Sequence, residues 1–245
     1  MQTKLFKQAK LLKNMQVVVL CGGKGTRLSE YSEQIPKALI DIGGKPILLH
    51  LMEIYAHFDH KDFVLCLGYK GDKIREYFEK VGTFNIKFVD TGLDANKAER
   101  IAKIKNYIEE DDFFVTYGDD LSDVDINKLL RFHKKNKKIV TLTAVDLVSP
   151  FGILEVNKKS EVTKFKEKPK LNHLMNGGFY VFNKKIFDYI KNGYDLERET
   201  FGELAKKRMI CALHHKGFWK SMNMLKDVIE LNEMFANGKT PWIRK

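Results

Sequence analysis

The chain contains little of what would cross-link it or carry it through a membrane. Its three cysteines are odd in number and widely spaced, which argues against a disulfide framework and for reduced thiols in the cytoplasm. No apolar run approaches the roughly 20 residues of a membrane helix, and the charged start lacks the apolar core of a secretory signal. We therefore expect a cytoplasmic protein without an integral membrane segment.

Acidic residues are the scarcer charged class. Lys and Arg number 43 against 32 for Asp and Glu, a net charge of +11 at pH 7. Such a surplus attracts anions in general. The excess is mostly lysine scattered over predicted helix faces, and the aromatic residues are not interleaved with it as a nucleic-acid platform requires. We expect a solvated basic surface and no nucleic-acid partner.

The order of apolar runs predicts an α/β fold. Strand-like and helix-like segments alternate over residues 15–138, which indicates a Rossmann-like, mixed and mostly parallel sheet flanked by helices. From residue 139 short strand-like runs predict added antiparallel strands in a second half of the fold. We expect residues 15–245 to form a single domain. Residues 1–14 form a basic N-terminal extension, either dispensable or a short amphipathic helix.

A glycine-rich turn directly follows the first predicted strand. Gly22, Gly23 and Gly25 lack Cβ atoms, so the backbone can approach an anion closely and its N–H groups can cradle phosphate oxygens. Arg27 and Lys37 add positive charge to this end of the sheet. The spacing fits neither a P-loop nor a dinucleotide-binding fingerprint. The turn indicates a nucleotide triphosphate site, and a β-turn beside two solvated cations is the plainer alternative.

Two carboxylates end a later predicted strand. Asp119 and Asp120 follow the apolar run 113–118. Because ligands bind beyond the carboxyl ends of parallel strands, we expect these carboxylates beside the glycine-rich turn. A carboxylate in that position suits Mg²⁺ with several waters, and an ordinary Asp-rich turn is the alternative.

The turn resembles the signature Gly-Gly-x-Gly-Thr-Arg-Leu, followed by Pro-Lys, of the sugar-phosphate nucleotidyltransferases. Further segments resemble that family in order over residues 15–242, and residues 68–71 and 217–219 are most similar to glucose-1-phosphate cytidylyltransferases. The resemblance implies one nucleotidyltransferase domain with Mg²⁺ as cofactor. It also implies that an acceptor phosphate attacks the α-phosphorus of a triphosphate and that pyrophosphate leaves.

The resemblance also implies a role for each matched residue. Arg27 and Lys37 are the expected catalytic cations, and Asp119 and Asn223 are the expected Mg²⁺ ligands. The expected nucleotide-binding residues are Leu20, Cys21, Gly22, Gly23, Gly25, Thr26, Gly68, Tyr69, Arg100 and Gly118. The expected acceptor-binding residues are Glu167, Lys168, Asn176, Gly177 and Trp219.

Three departures separate the chain from glucose-1-phosphate cytidylyltransferases. Asn223 stands where the family has an aspartate, which predicts weaker metal binding unless Asp120 or Asp227 compensates. Residues 97–100 replace a Thr-Gly-Gly-Arg loop at the base, so a strict cytosine preference is less certain. A long segment before the third strand is reduced to residues 79–85. In its small size, its shortened segment and its altered acceptor half, the chain resembles a compact cytidylyltransferase branch that acts on L-glutamine phosphate in capsule modification.

The resemblance therefore predicts CTP and a small phosphorylated acceptor, L-glutamine phosphate, as partners. A sugar 1-phosphate of the glucose 1-phosphate type is the alternative acceptor. Asn223 also motivates a non-catalytic nucleotide sensor, and Asp123 and Asp125 spell the Asp-x-Asp of nucleotide-sugar glycosyltransferases beyond the strand-end site. Assembly into a homo-oligomer stays open.

Overall fold

The structure, a computed structural model, describes residues 14–28 and 33–244, so the predicted N-terminal extension lies outside it except for Asn14. Its strands are β1 (Val17–Leu20), β2 (Asp41–Ile42), β3 (Lys45–Pro46), β4 (Asp62–Leu67), β5 (Asn85–Asp90), β6 (Asp112–Tyr117), β7 (Asp120–Ser122), β8 (Val140–Val148), β9 (Ile153–Val156), β10 (Val162–Lys166), β11 (Lys170–Asn183), β12 (Ile210–His214) and β13 (Trp219–Ser221). Its α-helices are α1 (Ile47–Ala56), α2 (Gly71–Val81), α3 (Lys97–Lys103), α4 (Ile126–Asn136), α5 (Gly202–Lys206) and α6 (Leu225–Ala236).

Seven strands form the central sheet in the order β12, β8, β11, β6, β1, β4 and β5. The neighbours β6, β1, β4 and β5 are parallel, and β12 is parallel to β8. The long strand β11 is antiparallel to both β6 and β8 and joins the two parallel groups. The predicted mixed, mostly parallel sheet is confirmed.

Helices cover both faces of this sheet, which explains why β1 is apolar at every position. Successive side chains of a strand point to opposite faces. Val17 and Val19 accordingly pack in one buried cluster with α1, α4 and α6, and Val18 packs in a second cluster with α3 and α5. None of the described helices combines the length and the apolar composition that a membrane crossing needs.

Added antiparallel strands were predicted in the second half, and β9 and β10 form such a pair outside the central sheet. Every residue of the two strands is exposed, including Phe165 at 62%. Within the central sheet β8 and β11 are antiparallel as well, and β12 adds to β8 in parallel.

The carboxyl ends of β1, β4 and β6 meet at one edge of the sheet, as parallel strands must. The antiparallel pair of β7 and β13 extends this edge, with Ser221 opposite Asp120. This pairing brings residues 219–223 of the second half next to the aspartates of the first.

Candidate active site

A cavity of about 550 Å³ opens at this edge of the sheet. Both halves of the fold contribute to its wall. The lining residues are Leu20, Cys21, Gly22, Gly23, Gly25, Lys37, Ala38, Ala95, Asn96, Lys97, Arg100, Tyr117, Gly118, Asp119, Asp120, Asn176, Asp195, Trp219, Ser221 and Asn223.

Lys37 lies between the two predicted metal ligands. It begins a short 3₁₀ turn after Pro36, and its side chain is 18% exposed. Its Nζ forms an ion pair with Asp119 and lies 3.3 Å from Asn223 Oδ1. The side-chain oxygens of the two predicted ligands therefore face one point, which the Lys37 ammonium occupies.

Hydrogen bonds orient Asn223 toward that point. Its Nδ2 donates to Ser221 Oγ at 2.9 Å, which leaves Oδ1 on the side of Lys37. Asp227 accepts hydrogen bonds from the backbone N–H groups of Asn223 and Met224, at 2.8 and 2.9 Å, and forms an ion pair with Lys220. Asp227 thus caps α6 and is not free to replace the missing carboxylate.

Asp120 does not supply the missing charge either. It is 2% exposed, and burial, with the neighbouring charge of Asp119 as a second cause, raises the pKa of its carboxyl well above the usual range. Asp119 is the carboxylate that pairs with Lys37, and Asp120 serves as a buried polar support.

The donor set around Lys37 fits Mg²⁺ held mainly by its substrate. No group of three or more His, Cys, Asp or Glu side chains suited to a metal occurs in the described part of the chain. One carboxylate and one amide oxygen are hard ligands, and Mg²⁺ commonly takes one or two protein ligands together with waters and phosphate oxygens. Asp119 and Asn223 would hold the ion, with the remaining ligands coming from triphosphate and water.

Arg100 supports the backbone of the glycine-rich turn through hydrogen bonds. It is 4% exposed, and its guanidinium donates to the carbonyls of Gly22 and Leu67 at 3.0 Å and to Thr91 Oγ1 at 2.6 Å. A fourth, longer hydrogen bond reaches the carbonyl of Leu93 at 3.4 Å. The side chain thus ties together the ends of β1, β4 and β5.

The turn is closed so tightly that Gly22 admits no side chain. A Cβ atom there would lie 2.3 Å from the Arg100 guanidinium and 2.7 Å from the Leu67 backbone. The carbonyl of Gly22 also accepts a hydrogen bond from the backbone N–H of Tyr69 at 3.0 Å. Gly68 and Tyr69 therefore brace the turn, and neither lines the cavity.

The second half contributes Asn176 and Trp219 to the cavity. Trp219 Nε1 donates to the carbonyl of Gly177 at 2.7 Å and so fixes the backbone beside Asn176. Gly177 itself packs against β8, where a Cβ atom would lie 3.1 Å from the carbonyl of Thr143.

Four other predicted residues lie off the cavity wall. Thr26 and Arg27 are exposed in a 3₁₀ turn, Thr26–Leu28. Glu167 and Lys168 follow the exposed pair of β9 and β10, are about 60% exposed in their side chains, and form an ion pair with each other at 3.8 Å. Their predicted roles in catalysis and binding stay predictions.

Some cavity residues were not predicted as site residues. Asn96 accepts a hydrogen bond from the backbone N–H of Glu99 at 3.0 Å, and Glu99 Oε2 accepts from the Asn96 N–H at 2.9 Å. The sequence pattern Asn-x-x-Glu indicates this capping box. The box places Lys97 at the first turn of α3. Asp195 caps the helical segment Leu196–Phe201, where its side chain accepts hydrogen bonds from the backbone N–H groups of Glu197 and Arg198. Ser221 carries no such signal, because it reaches the cavity through the pairing of β13 with β7.

Comparison with known proteins identifies the family. A profile of the family described as "Nucleotidyl transferase" matches residues 16–236. The chain belongs to this family. It is 39% identical over 252 residues to the "Probable glucose-1-phosphate cytidylyltransferase" of Bacillus subtilis, which covers 93% of this chain and 99% of the relative. It is 38% identical to the "Glucose-1-phosphate cytidylyltransferase" of Salmonella typhimurium, over 93% and 98%.

A solved structure shares the fold. The crystal structure of HddC from Yersinia pseudotuberculosis complexed with GMP-PN superposes with a TM-score of 0.70 at 25% identity, over 90% of this chain and 99% of that one. As a nucleotidyltransferase, the chain is an enzyme whose family carries a nucleotidyl group from a triphosphate to an acceptor.

Proposed function

We propose that this nucleotidyltransferase is a Mg²⁺-dependent cytidylyltransferase that joins CMP from CTP to a small phosphorylated acceptor, L-glutamine phosphate, and releases pyrophosphate. One observation carries the proposal most directly. Lys37, Asp119 and Asn223 converge at the mouth of the glycine-rich turn, in the same cavity as Asn176. The cavity thus offers adjacent places for a triphosphate, a cation and an acceptor.

The reaction needs positioning and charge neutralisation more than proton transfer. An ionised oxygen of the acceptor phosphate attacks the α-phosphorus, a new P–O bond forms, and the bond to pyrophosphate breaks. Mg²⁺, when bound, neutralises charge on the phosphates. The backbone of Gly22 and Gly23 cradles them, and Lys37 places its ammonium where charge accumulates. No general base is required because the nucleophile already carries its negative charge.

The choice of CTP rests on the relatives named as cytidylyltransferases. The choice of L-glutamine phosphate rests on the resemblance to the compact branch and on the short connection of residues 82–84 between α2 and β5. Glucose 1-phosphate is the second candidate, because the names of the same relatives give that acceptor.

Pyrophosphate release tests the proposal. The purified protein with Mg²⁺ is assayed with four nucleoside triphosphates against L-glutamine phosphate, glucose 1-phosphate and other sugar 1-phosphates. We expect turnover with CTP and L-glutamine phosphate. Turnover only with glucose 1-phosphate transfers the assignment to the second candidate, and no turnover with CTP and any acceptor contradicts the proposal.

A variant pair separates an enzyme from a nucleotide sensor. Asp119→Ala removes the carboxylate that faces Lys37 and is expected to abolish turnover. Asp188→Ala removes an exposed carboxylate outside the cavity and should leave the rate unchanged. Tight CTP binding by calorimetry without any turnover by the unmodified protein would favour the sensor.

A further inference from the structure

Asn176 begins a chain of hydrogen bonds that passes through three further side chains. Asn176 Nδ2 lies 2.6 Å from Tyr180 Oη, and Tyr180 Oη lies 2.9 Å from Tyr117 Oη. Tyr117 Oη in turn donates to the Glu197 carboxylate, which also forms an ion pair with Lys97. The chain runs from the acceptor side of the cavity to the start of α3.

The direction of every hydrogen bond in this chain follows from the carboxylate. A carboxylate can only accept, so Tyr117 uses its single hydroxyl hydrogen on Glu197. The Tyr117 oxygen must then accept from Tyr180, whose only hydrogen is spent there. Tyr180 can therefore only accept from Asn176. The amide nitrogen, not the oxygen, of Asn176 has to face Tyr180.

A second contact agrees with this orientation. The backbone N–H of Gly178 donates to Asn176 Oδ1 at 3.2 Å, which requires the oxygen on that side. Gly178 has a φ of 73°, and a Cβ atom there would lie 2.3 Å from Asp120 Oδ2, so only glycine fits this backbone conformation. Both ends of the amide thus specify the same orientation.

Tyr180, the phenol next to Asn176, is buried, and burial raises the pKa of its hydroxyl well above the ordinary value. Its hydrogen is therefore available for the bond to Tyr117.

Glu197 is held at the end of the chain by a charge from the other half of the fold. Lys97, in the first turn of α3, pairs with Glu197 Oε1 and lies 5.0 Å from the centroid of the Tyr117 ring. Glu197 Oε2 is buried and has no hydrogen-bond partner. Because only Oε1 is hydrogen-bonded, Lys97 and Tyr117 are the groups that keep this carboxylate in position.

We propose that Glu197 is a positioning residue for the acceptor substrate: through Tyr117 and Tyr180 it orients the Asn176 amide, whose Oδ1 then accepts a hydrogen bond from the acceptor. This inference rests on the proposed function. It selects acceptors that present a hydroxyl, ammonium or amide N–H group at Asn176. Glu197 does not line the cavity, so its effect on the acceptor passes through the two phenols.

A double-mutant cycle tests the inference. Tyr180→Phe breaks the chain next to Asn176, and Glu197→Gln removes the carboxylate that sets its direction. Each is expected to raise the acceptor KM about tenfold, the effect of one lost hydrogen bond to a bound ligand, while the KM for CTP changes by less than about twofold. The double variant should resemble Tyr180→Phe alone, because Glu197 acts only through Tyr180.

The control is Glu203→Gln in the neighbouring helix α5. Glu203 forms ion pairs with Lys191 and Lys207 and lies outside the cavity, so this variant loses a carboxylate without touching the chain of bonds. It should leave both KM values unchanged. Additive effects of Tyr180→Phe and Glu197→Gln, or equal rises in the KM for CTP, would overturn the inference.

Nuclear magnetic resonance provides a test that needs no acceptor. In the free protein, one side-chain N–H of Asn176 should exchange slowly with solvent because it donates to Tyr180. We expect that protection to fall at least about tenfold in both Tyr180→Phe and Glu197→Gln and to persist in Glu203→Gln. Unchanged protection in both variants overturns the inference even if the acceptor assay fails, whereas absent turnover by the unmodified protein counts against the proposed function alone.

Discussion

Arg100 places a buried cation under the glycine-rich turn without an ion pair to any described carboxylate. Burial lowers the pKa of the guanidinium, yet arginine remains charged at any ordinary pH. Its guanidinium donates four hydrogen bonds to groups of the protein, three of which lie at or just beyond the ends of β1, β4 and β5. We infer that Arg100 shapes the triphosphate cradle and that it does not read the base.

Arg100→Lys should therefore weaken the binding of all nucleoside triphosphates to the same extent. Lysine cannot reproduce the forked contacts to Gly22 and Leu67, so buried carbonyls lose a partner at a cost of about 2–3 kcal/mol in the free energy of unfolding. We expect the KM for CTP to rise about tenfold or more while the ratio of rates with CTP and UTP stays constant. Urea unfolding and steady-state kinetics measure the two effects.

Lys103→Met is the matched control for Arg100. Lys103 lies one turn further along α3 and donates to the carbonyl of Thr91 at 2.7 Å, away from the glycine-rich turn. It should leave the KM for CTP unchanged. A collapse of the preference for CTP over UTP in Arg100→Lys would instead assign Arg100 to base recognition.

Because Asn223 is neutral, the predicted metal site carries one negative charge fewer than a site with two aspartates. Asn223→Asp adds a carboxylate beside Lys37 and Asp119, so the Mg²⁺ concentration for half-maximal rate should fall, by about tenfold if one pairing of opposite charges is gained. Asn192→Asp, at an exposed position outside the cavity, is the control. An unchanged Mg²⁺ dependence in Asn223→Asp would place residue 223 away from the ion.

Among the elements, β6 is fixed at its start by a buried carboxylate. Asp112 accepts hydrogen bonds from Lys134 in α4 and from Asn183 Nδ2 at the end of β11, at 2.6 Å for the latter, and His133 Nε2 lies 3.4 Å away. Burial alone would raise the pKa of Asp112, but these hydrogen bonds outweigh burial and hold the pKa below its usual range. The network anchors the strand whose other end carries Asp119.

Asp112→Asn should destabilise the fold by about 1–3 kcal/mol near pH 7, because the amide turns a donor toward other donors. A carboxyl with a depressed pKa stabilises the protein fully above its unfolded pKa of about 3.9 and loses that contribution as pH falls below it. The stability gap between the unmodified protein and Asp112→Asn should therefore narrow below about pH 4. Urea unfolding at pH 7 and pH 3.5 checks this, and Asp111→Asn, at an exposed neighbour, should show no gap.

Local periodicity predicted most elements because it is a local property. The apolar runs of β1, β4 and β6 are buried on both faces and needed no partner to be recognised. The first half of β11 is exposed and lacks an apolar pattern, so no local signal marks it as a strand. A π-helical segment, Leu196–Phe201, precedes α5 and has no period that the sequence pattern reveals. That segment positions Asp195 and Glu197, which is why the sequence alone did not place them in the site.

The convergence of Lys37 and Asp119 could be predicted because it follows from strand direction. The contacts of Arg100 could not, since a motif names a guanidinium without stating whether it points to ligand or to backbone. Sequence also could not rule out Asp227 as a substitute metal ligand, because its use as a helix cap depends on the geometry of the first turn of α6. Sequence thus predicted which strand ends meet. The structure was needed to show which side-chain atoms are already hydrogen-bonded within the protein and which can contact a ligand.

At the scale of the whole molecule, the net charge of +11 and the triphosphate substrate attract each other. Charges interact over about 30 Å at 0.01 M ionic strength but only about 8 Å at 0.15 M. Lys158 and Lys159 are exposed in the turn between β9 and β10 and do not line the cavity. Replacing both by Glu should therefore lower kcat/KM for CTP about two- to fivefold at 0.01 M and leave it unchanged at 0.15 M, with kcat constant throughout.

Replacement of both by Gln removes half as much charge and should give a smaller effect at low salt. Equal losses at both ionic strengths would mean that these lysines contact the substrate or a neighbouring element, and that the surplus charge does not act as a long-range field.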